Sequence, residues 1–346
     1  MLSGCELRLT CQEVWIYRPA RGKRSPVSAS TARGSYTDTM SNNHTAETQA
    51  WLDQRFTAAD ARGIYIAHQP IYGFRNGPCE PSQVERYTIT YQIMQALNCL
   101  PFTSLVDIGG AEGYKAALAR ELFGVTTRSA DLSHEACNRA RELYDVQGDV
   151  IDIHALPYPD RSFDVVLCSE TLEHVVDLRH ATKELMRVAK HAVVITVPRE
   201  PEEVVRKNIA QRLPHAHIHA LDIHSFDFVQ TQGWSSISRR MNSRWLAVIR
   251  EIIEAQSRVG REGKYPQFLY EVYNRAVPHF RRLFGPRSVQ ASIKIDDWLA
   301  NGTDSYQGMC FILLRPGVHL LEKPRRTISA DDILNFTVPY LQMAPK

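Results

Sequence analysis

The sequence predicts an α/β fold in which a mostly parallel sheet is covered by helices on both faces. Short apolar runs alternate with amphipathic stretches between residues 104 and 197. Strands that are apolar along their length and alternate with helices are typical of parallel sheets buried on both faces. A glycine-rich segment follows the first of these strands. In such sheets a ligand binds beyond the carboxyl ends of the strands, which is where this segment lies.

The core elements follow one another closely along the chain. We predict strands over 105–107, 125–130, 149–153, 165–168, 192–197, 233–238 and 307–314. We predict helices over 114–123, 133–144, 177–190 and 225–232. Ser133 and Asp177 precede two of these helices and are predicted N-caps, because their side chains can accept a hydrogen bond from the first turn.

The flanking regions complete the predicted domain order. It is an extension over 1–46, a helical lid or N-terminal cap over 47–100, a core over 101–241, a helical insertion over 242–303, and the last strand with a C-terminal extension over 304–346. The insertion is predicted as a helical pair over 244–260 and 267–284. Its apolar stripes need a partner, so we expect it to form a cap or a homodimer surface.

The N-terminal extension has the poorest pattern in the sequence. Residues 18–35 are basic, rich in glycine, serine and proline, and without periodicity, so they cannot bury enough apolar surface to offset the entropy of ordering. We expect residues 1–46 to be disordered or mis-annotated, with Met40 as the natural start and no packing before it. An organellar transit peptide is the alternative.

The composition narrows the class of partner. The chain has 346 residues and a formal net charge of only +3, without a Lys/Arg stripe interleaved with aromatics, which argues against nucleic acid. No apolar run approaches the roughly 20 residues that span a bilayer. The seven cysteines form no C-x-x-C pair. Their pattern favours free thiols in the reducing cytoplasm over a disulfide framework or a zinc site.

The glycine-rich segment is the most informative motif. A dinucleotide fingerprint needs glycines at the first, third and sixth positions. Here Gly109 is the first position, Ala111 is the third, and Gly113 falls at the fifth. This spacing disfavours an NAD(P) oxidoreductase and resembles motif I of the class I methyltransferases that depend on S-adenosylmethionine (SAM).

Three further matches follow in order. Asp131 ends the second strand about 20 positions after the loop, where an acidic residue receives the ribose hydroxyls in βαβ nucleotide sites. Residues 152–164 resemble the family's "D-x-x-x-L-P-F-x-D-x-S-F-D" stretch. Residues 170–175 resemble its "E-x-L-E-H-V" stretch after the fourth strand.

This resemblance, to the methyltransferase type 11-like group, implies a Rossmann-like sheet of parallel strands with an antiparallel last strand. It implies SAM-dependent methyl transfer to a small-molecule, glycan or lipid-precursor acceptor, with oxygen as the expected methyl-accepting atom. The implied cofactor-binding residues are Asp107, Gly109, Gly110, Gly113, Asp131, Leu132, Asp152, Ile153 and Glu170. A non-catalytic SAM-fold scaffold and a nucleic-acid methyltransferase are the alternatives.

The catalytic candidates are histidines. Oxygen acceptors usually need a base, and an imidazole has a suitable ordinary pKa. His174 belongs to the stretch after the fourth strand, while His217 and His219 lie after the fifth strand, which borders the methyl-transfer site in this family. Three interpretations of the histidines between 214 and 225 stay open: a base or acceptor-orienting role, metal binding by an extended segment, and a structural role. The site residues predicted from the sequence include no metal ligand.

Overall fold

A seven-stranded mixed sheet lies at the centre of the structure. The computed structural model describes residues 10–15, 38–58, 83–212, 215–243, 286–303, 305–329, 332, 333 and 336. The strands are β1 Ser104–Ile108, β2 Thr126–Asp131, β3 Gln147–Val150, β4 Phe163–Ser169, β5 Ala189–Pro198, β6 Ser235–Ser243 and β7 Tyr306–Leu314. Their order is β3-β2-β1-β4-β5-β7-β6, and β7 runs antiparallel to both of its neighbours while the other pairs are parallel. The predicted fold class is confirmed.

Helices cover both faces of this sheet. They are α1 Cys11–Trp15, α2 Asp38–Thr57, α3 Gln83–Asn98, α4 Tyr114–Phe123, α5 His134–Tyr144, α6 Leu178–Val188, α7 Glu202–Gln211 and α8 Pro286–Gly302, with 3-10 helices at Leu172–His174 and Asp227–Gln232. Leu105 packs in the core that contains α3 and α4, whereas its neighbour Val106 packs in the core that contains α6. Successive side chains of a strand point to opposite faces, so both faces of β1 are buried.

Both predicted N-caps are confirmed. The Ser133 hydroxyl accepts a hydrogen bond from the Ala136 amide at 3.1 Å and starts α5. The Asp177 carboxylate accepts one from the His180 amide at 2.9 Å and starts α6. Each cap satisfies an amide that has no partner within its own helix.

Other boundaries differ from the predictions. Helix α7 was not predicted, because Val205 is the buried residue among its ten and the rest of the helix has no apolar stripe. The helix predicted over 225–232 is a 3-10 helix, Asp227–Gln232. The predicted helical pair over 244–260 and 267–284 lies outside the described residues.

The expectation that nothing before residue 40 packs is wrong for residues 10–15. Cys11 and Trp15 are spaced one helical turn apart, and both are buried in the core. The Cys11 amide donates to the Glu322 carbonyl at 3.2 Å, and the Arg239 guanidinium lies 5.6 Å from the Trp15 ring centroid. Two apolar side chains one turn apart are enough to attach this short helix to the core. The sequence prediction treated residues 1–46 as one segment because the polar residues 18–35 dominate its composition. Helix α2 also begins at Asp38, well before its predicted start at residue 47.

Two findings on the described residues concern the cysteines and the length of the helices. Their five cysteines, Cys11, Cys99, Cys137, Cys168 and Cys310, are free and buried. Among the helices that the structure describes, none is both long and apolar enough to cross a membrane. The cytoplasmic location stays a prediction.

Asp164 fixes the entry to the sheet. Its Oδ2 accepts hydrogen bonds from the Thr103 amide and hydroxyl, both at 2.8 Å, and from the Ser104 amide at 3.2 Å. Burial opposes ionisation of this carboxyl, but the Thr103 hydrogen bonds and the Lys190 ammonium outweigh it and lower its pKa from 3.8 to about 2. The charged form is therefore bound more tightly in the folded state than in the unfolded chain.

We expect Asp164→Ala to lower the free energy of unfolding by about 1–3 kcal/mol at neutral pH, because two amides and a hydroxyl lose a charged acceptor. The folded-state pKa lies below the unfolded one, so the charge contribution is complete above pH 3.8 and disappears as pH falls through about 2. Denaturant unfolding at several pH values measures this, with exposed Glu142→Ala as the control. An effect equally large at all pH values would contradict the assignment.

Candidate functional site

A cavity of about 380 Å³ opens at the carboxyl ends of β1, β2 and β4, between the sheet and α2. Volumes of this order are typical of small-molecule sites. Predicted site residues that line it are Gly109, Asp131, Leu132, Asp152, Ile153, Glu170 and His174. The predicted residues Asp107, Gly110, Gly113, His217 and His219 are not part of its lining.

The loop between β1 and α4 needs glycine where it passes its neighbours. Gly109 has φ +73°, and a Cβ built there would overlap the Thr171 hydroxyl. A Cβ on Gly110 would overlap the Ser129 hydroxyl. A side chain at either position would push the loop away from the adjoining strands and change the wall of the cavity. Gly110 thus shapes the site without facing it.

Asp131 holds this loop to the start of α5. Its Oδ2 accepts the Ala111 amide at 2.9 Å and its Oδ1 accepts the Ser133 amide at 3.0 Å. Burial raises the pKa of Asp131, while these two amides oppose the rise. Each carboxylate oxygen has a further lone pair, and the side chain lines the cavity. It can therefore accept hydroxyl groups of a ligand.

Asp107 lies beneath the loop and is fully buried. Neither of its carboxylate oxygens has a hydrogen-bond partner in the described part of the chain. Burial raises its pKa to about 6; Lys115 opposes the rise and Asp131 adds to it. Because Asp107 lies beneath the loop and outside the cavity lining, its position favours support of the loop over direct contact with a ligand.

The outer end of the cavity combines apolar walls with one carboxylate. Leu132 and Ile153 supply the apolar surface. Asp152 Oδ1 accepts the His154 amide and contacts His154 Nδ1, both at 2.9 Å. The His154 hydrogen bond lowers the pKa of Asp152, so this carboxyl is ionised at neutral pH. A planar ring with exocyclic donors suits such a pocket.

Helix α2 closes the cavity from above, and its anchors were not predicted. Asp53 Oδ1 accepts the Ser133 hydroxyl at 2.6 Å, and Gln49 Nε2 donates to the Leu132 carbonyl at 2.8 Å. Arg139 forms a buried ion pair with Glu112 and donates to the Phe56 carbonyl at 3.0 Å. These contacts attach α2 to the loop and to α5.

The inner end of the cavity carries carboxylates and imidazoles. Glu170, just after β4, has φ +53° and donates its amide to the Thr196 carbonyl at 2.8 Å. His174 and His215 stack with ring centroids 3.7 Å apart, and both line the cavity. The His217 ring lies 4.8 Å from that of His174, and Glu173 Oε1 lies 3.6 Å from His174 Nε2.

The electrostatics of this cluster follow from burial. Burial, with His215 and His217 adding to it, lowers the pKa of His174 to about 2. Burial lowers the pKa of His215 to about 4. Both imidazoles are therefore neutral at physiological pH and keep a lone pair. Burial and the Glu170 carboxylate raise the pKa of Glu173 well above its usual range.

The predicted histidines are separated by the fold. His217 Nδ1 lies 2.9 Å from Glu200 Oε1, beside His174. His219 Nε2 instead lies 2.6 Å from the Val175 carbonyl, a contact that fixes the turn after the 3-10 helix. His215, which was not among the predicted site residues, joins the cluster. The alternating histidines mark this segment as a candidate in the sequence. Which of them join the cluster depends on the path of the segment in the fold, which places the His215 ring 5.2 Å from the Trp51 ring.

Comparison with known proteins identifies the central region. A protein-family profile described as "Methyltransferase domain" matches residues 106–197. Norajmaline N-methyltransferase of Rauvolfia serpentina is 32% identical over 101 residues, covering 27% of this chain and 35% of that protein. The 2-methyl-6-phytyl-1,4-hydroquinone methyltransferase of Synechocystis sp. is 34% identical over 101 residues, covering 28% and 32%. The malonyl-[acyl-carrier protein] O-methyltransferase of Halorhodospira halophila is 34% identical over 89 residues, covering 24% and 30%.

The chain thus spans about a third of the length of these relatives, between 30% and 35% of each. The matched region contains the end of β1, the glycine loop, Asp131, Asp152 and the segment from Glu170 to His174. Residues 106–197 of this chain are therefore similar to a methyltransferase domain.

Proposed function

We propose that this chain is a SAM-dependent methyltransferase that methylates an oxygen of a small-molecule acceptor. The observation that carries the proposal is the cavity at the carboxyl ends of β1, β2 and β4. One end holds the Asp131 carboxylate between two backbone amides, and the other holds neutral imidazoles and Glu170. The first end suits binding of a nucleoside, and the second suits chemistry on an acceptor.

The residues present fit SAM. Asp131 has lone pairs for the two ribose hydroxyls, and Leu132 and Ile153 offer an apolar slot for adenine with Asp152 at its edge. The crowding at Gly109 and Gly110 keeps the loop close to the strands, where backbone can face the methionyl part. Glu170 lines the same part of the cavity, where its carboxylate can accept a hydrogen bond from the methionyl ammonium group.

The bound cofactor supplies an electrophilic methyl carbon on a positively charged sulfur. The protein has to hold the acceptor oxygen in line with that carbon, since proximity and alignment supply much of the rate. The acceptor oxygen gives its electron pair to the new C–O bond while the C–S pair goes to sulfur, and the hydroxyl proton must leave. We assign the orientation of that hydroxyl to the inner cluster, in which His174 lines the cavity and offers a lone pair while His217 and His219 act as positioning residues, and the proton leaves to solvent.

The choice of acceptor rests on the site and on the relatives. The relatives' names include an alkaloid, a hydroquinone and a malonyl thioester carrier as acceptors, at nitrogen or oxygen where the name states the atom. We propose oxygen as the methyl-accepting atom, since a hydroxyl of the acceptor can donate a hydrogen bond to the lone pair of a neutral imidazole. A glycan or lipid precursor fits the same chemistry, and the net charge of +3 gives no support to a nucleic-acid acceptor.

We expect Asp131→Asn to weaken SAM binding by about 1–3 kcal/mol, because the ribose hydroxyls lose a charged acceptor. Only one of the two backbone amides keeps an oxygen acceptor in this variant, so thermal unfolding checks that it folds. Isothermal titration calorimetry with SAM measures the change. Asp145→Asn is the control, since this exposed residue at the end of α5 has φ +50°, which asparagine tolerates. Unchanged affinity in Asp131→Asn would remove this carboxylate from the site.

The proposed reaction is tested with SAM labelled in the methyl group and a panel of hydroxylated small molecules, glycans and lipid precursors. Matched amines are included. We expect label transfer to hydroxyl compounds and none to the amines, with the position assigned by NMR. Transfer to amines alone would contradict the oxygen assignment. Tight binding of S-adenosylhomocysteine without transfer to any acceptor would support the scaffold alternative.

We also propose a homodimer that uses the predicted insertion over 242–303, which includes α8. What supports it is that α8 exposes Ile295 and Trp298, the latter by 71%. Sedimentation velocity of the full chain is expected to show a dimer that Trp298→Asp weakens. A monomer at all concentrations would end this proposal and leave the methyltransferase proposal intact.

A further inference from the structure

Three side chains at the inner end of the cavity converge as metal ligands do. Ligand atoms of Glu173, His174 and His217 all lie within 4.8 Å of one another. Imidazole nitrogens and carboxylate oxygens bind divalent transition metals at about 2.0–2.2 Å, so two ligands of one ion lie at most about 4.4 Å apart. The cluster is a few tenths of an ångström wider than this, and rotation of the side chains closes the difference.

Both imidazoles are already oriented by partners on one ring nitrogen. His217 Nδ1 lies 2.9 Å from Glu200 Oε1, and His174 Nδ1 lies 3.2 Å from the Ala216 carbonyl. When Nδ1 carries the proton and donates to these acceptors, Nε2 keeps its lone pair. A ring whose other nitrogen donates to a carboxylate or a carbonyl is the usual arrangement of a metal-ligating histidine.

An independent observation points to a ligand at the same place. Glu173 is 1% exposed, and its Oε2 has no hydrogen-bond partner among the described residues. Lys115 acts on Glu173 but also on Asp107, so two buried carboxylates share its charge. A buried carboxylate oxygen without a partner is costly. A cation between Glu173 and the two imidazoles would satisfy it.

We propose that Glu173, His174 and His217 bind a divalent transition-metal ion, of the class to which Zn²⁺ and Mn²⁺ belong. Two imidazoles and one carboxylate suit such ions better than Mg²⁺ or Ca²⁺, which prefer oxygen ligands. Three protein ligands leave positions open, and His174 brings the site to the cavity wall. The histidine run thus contributes one ligand, His217, to a site that the sequence-based assignment did not contain.

The site specifies the acceptor, a step that rests on the proposed function. A metal ion at the inner end polarises a hydroxyl oxygen and favours loss of its proton to solvent. The acceptor oxygen then forms the C–O bond as the C–S bond breaks, and the products are a methyl ether, S-adenosylhomocysteine and the released proton. We therefore expect acceptors with a hydroxyl that can bind a metal, such as one beside a second oxygen. His174 and His217 act here as ligands rather than as direct bases.

Direct metal binding tests the site without any acceptor. The full chain is depleted with EDTA and desalted, then titrated with Mn²⁺, whose unbound form is followed by electron paramagnetic resonance. Zn²⁺ is titrated in competition with a chromophoric chelator. We expect the wild type to bind one ion per chain. In His217→Ala and Glu173→Gln the affinity for at least one of the two metals should fall about tenfold or more, since even loss of a residue that hydrogen-bonds a metal ligand has an effect of this size.

The control is His224→Ala, which removes a histidine of the same segment that is paired with Asp227 at 3.0 Å and lies outside the cluster. It should bind metal as the wild type does. Thermal unfolding checks that each variant folds. If the buried substitution Glu173→Gln prevents folding, the partly exposed His217→Ala variant provides the test. No saturable binding of either metal in the wild type, or equal affinity in wild type and His217→Ala, overturns the site.

Affinity for S-adenosylhomocysteine is measured on the same samples to separate the two proposals. Retained binding of this compound with no metal bound overturns the metal site alone. If the protein binds the metal but does not bind S-adenosylhomocysteine, the proposed function is overturned and the metal site is supported. Retained binding with specific metal uptake supports both.

Discussion

The geometry of the cavity depends on one buried carboxylate. Asp131 accepts amides from the glycine loop and from the start of α5, so β1, β2 and α5 meet at its two oxygens. The start of α5 is also bound by Asp53 of α2, which lies over the cavity. A carboxylate with two amide donors is well ordered even when buried. The floor, wall and cap of the cavity are therefore connected through a few hydrogen bonds.

The parallel sheet explains why so many polar groups meet in an apolar core. Strands β1, β2 and β4 all end at the same edge, and each is followed by an acidic residue or a turn that carries one. This edge collects Asp131, Asp152, Glu170 and Glu173 within one region, although they are distant in sequence. The positive φ of Glu170 shows that the chain turns sharply there, which aims its side chain into the cavity. Such strain in a non-glycine residue is common at functional sites.

The sequence was sufficient for the parts of the structure that depend on local pattern. Short apolar strands, the two N-caps and the glycine spacing are set by neighbouring residues, so the parallel core of the sheet and the position of Asp131 followed from them. Contacts between distant segments were not predictable. The docking of α1 depends on Glu322 and Arg239, and the anchors of α2 depend on residues about 80 positions away. Nothing in the histidine run itself shows that His217 meets Glu200 while His219 meets a backbone carbonyl.

The central claim is that this cavity binds SAM with its ribose on Asp131 and its sulfur towards the inner cluster. A crystal structure with S-adenosylhomocysteine tests this most directly. The account predicts both ribose hydroxyls within hydrogen-bond distance of the Asp131 carboxylate, adenine between Leu132 and Ile153, and the sulfur facing the end that holds Glu170 and His174. A nucleoside bound elsewhere, or one with its ribose away from Asp131, would contradict it.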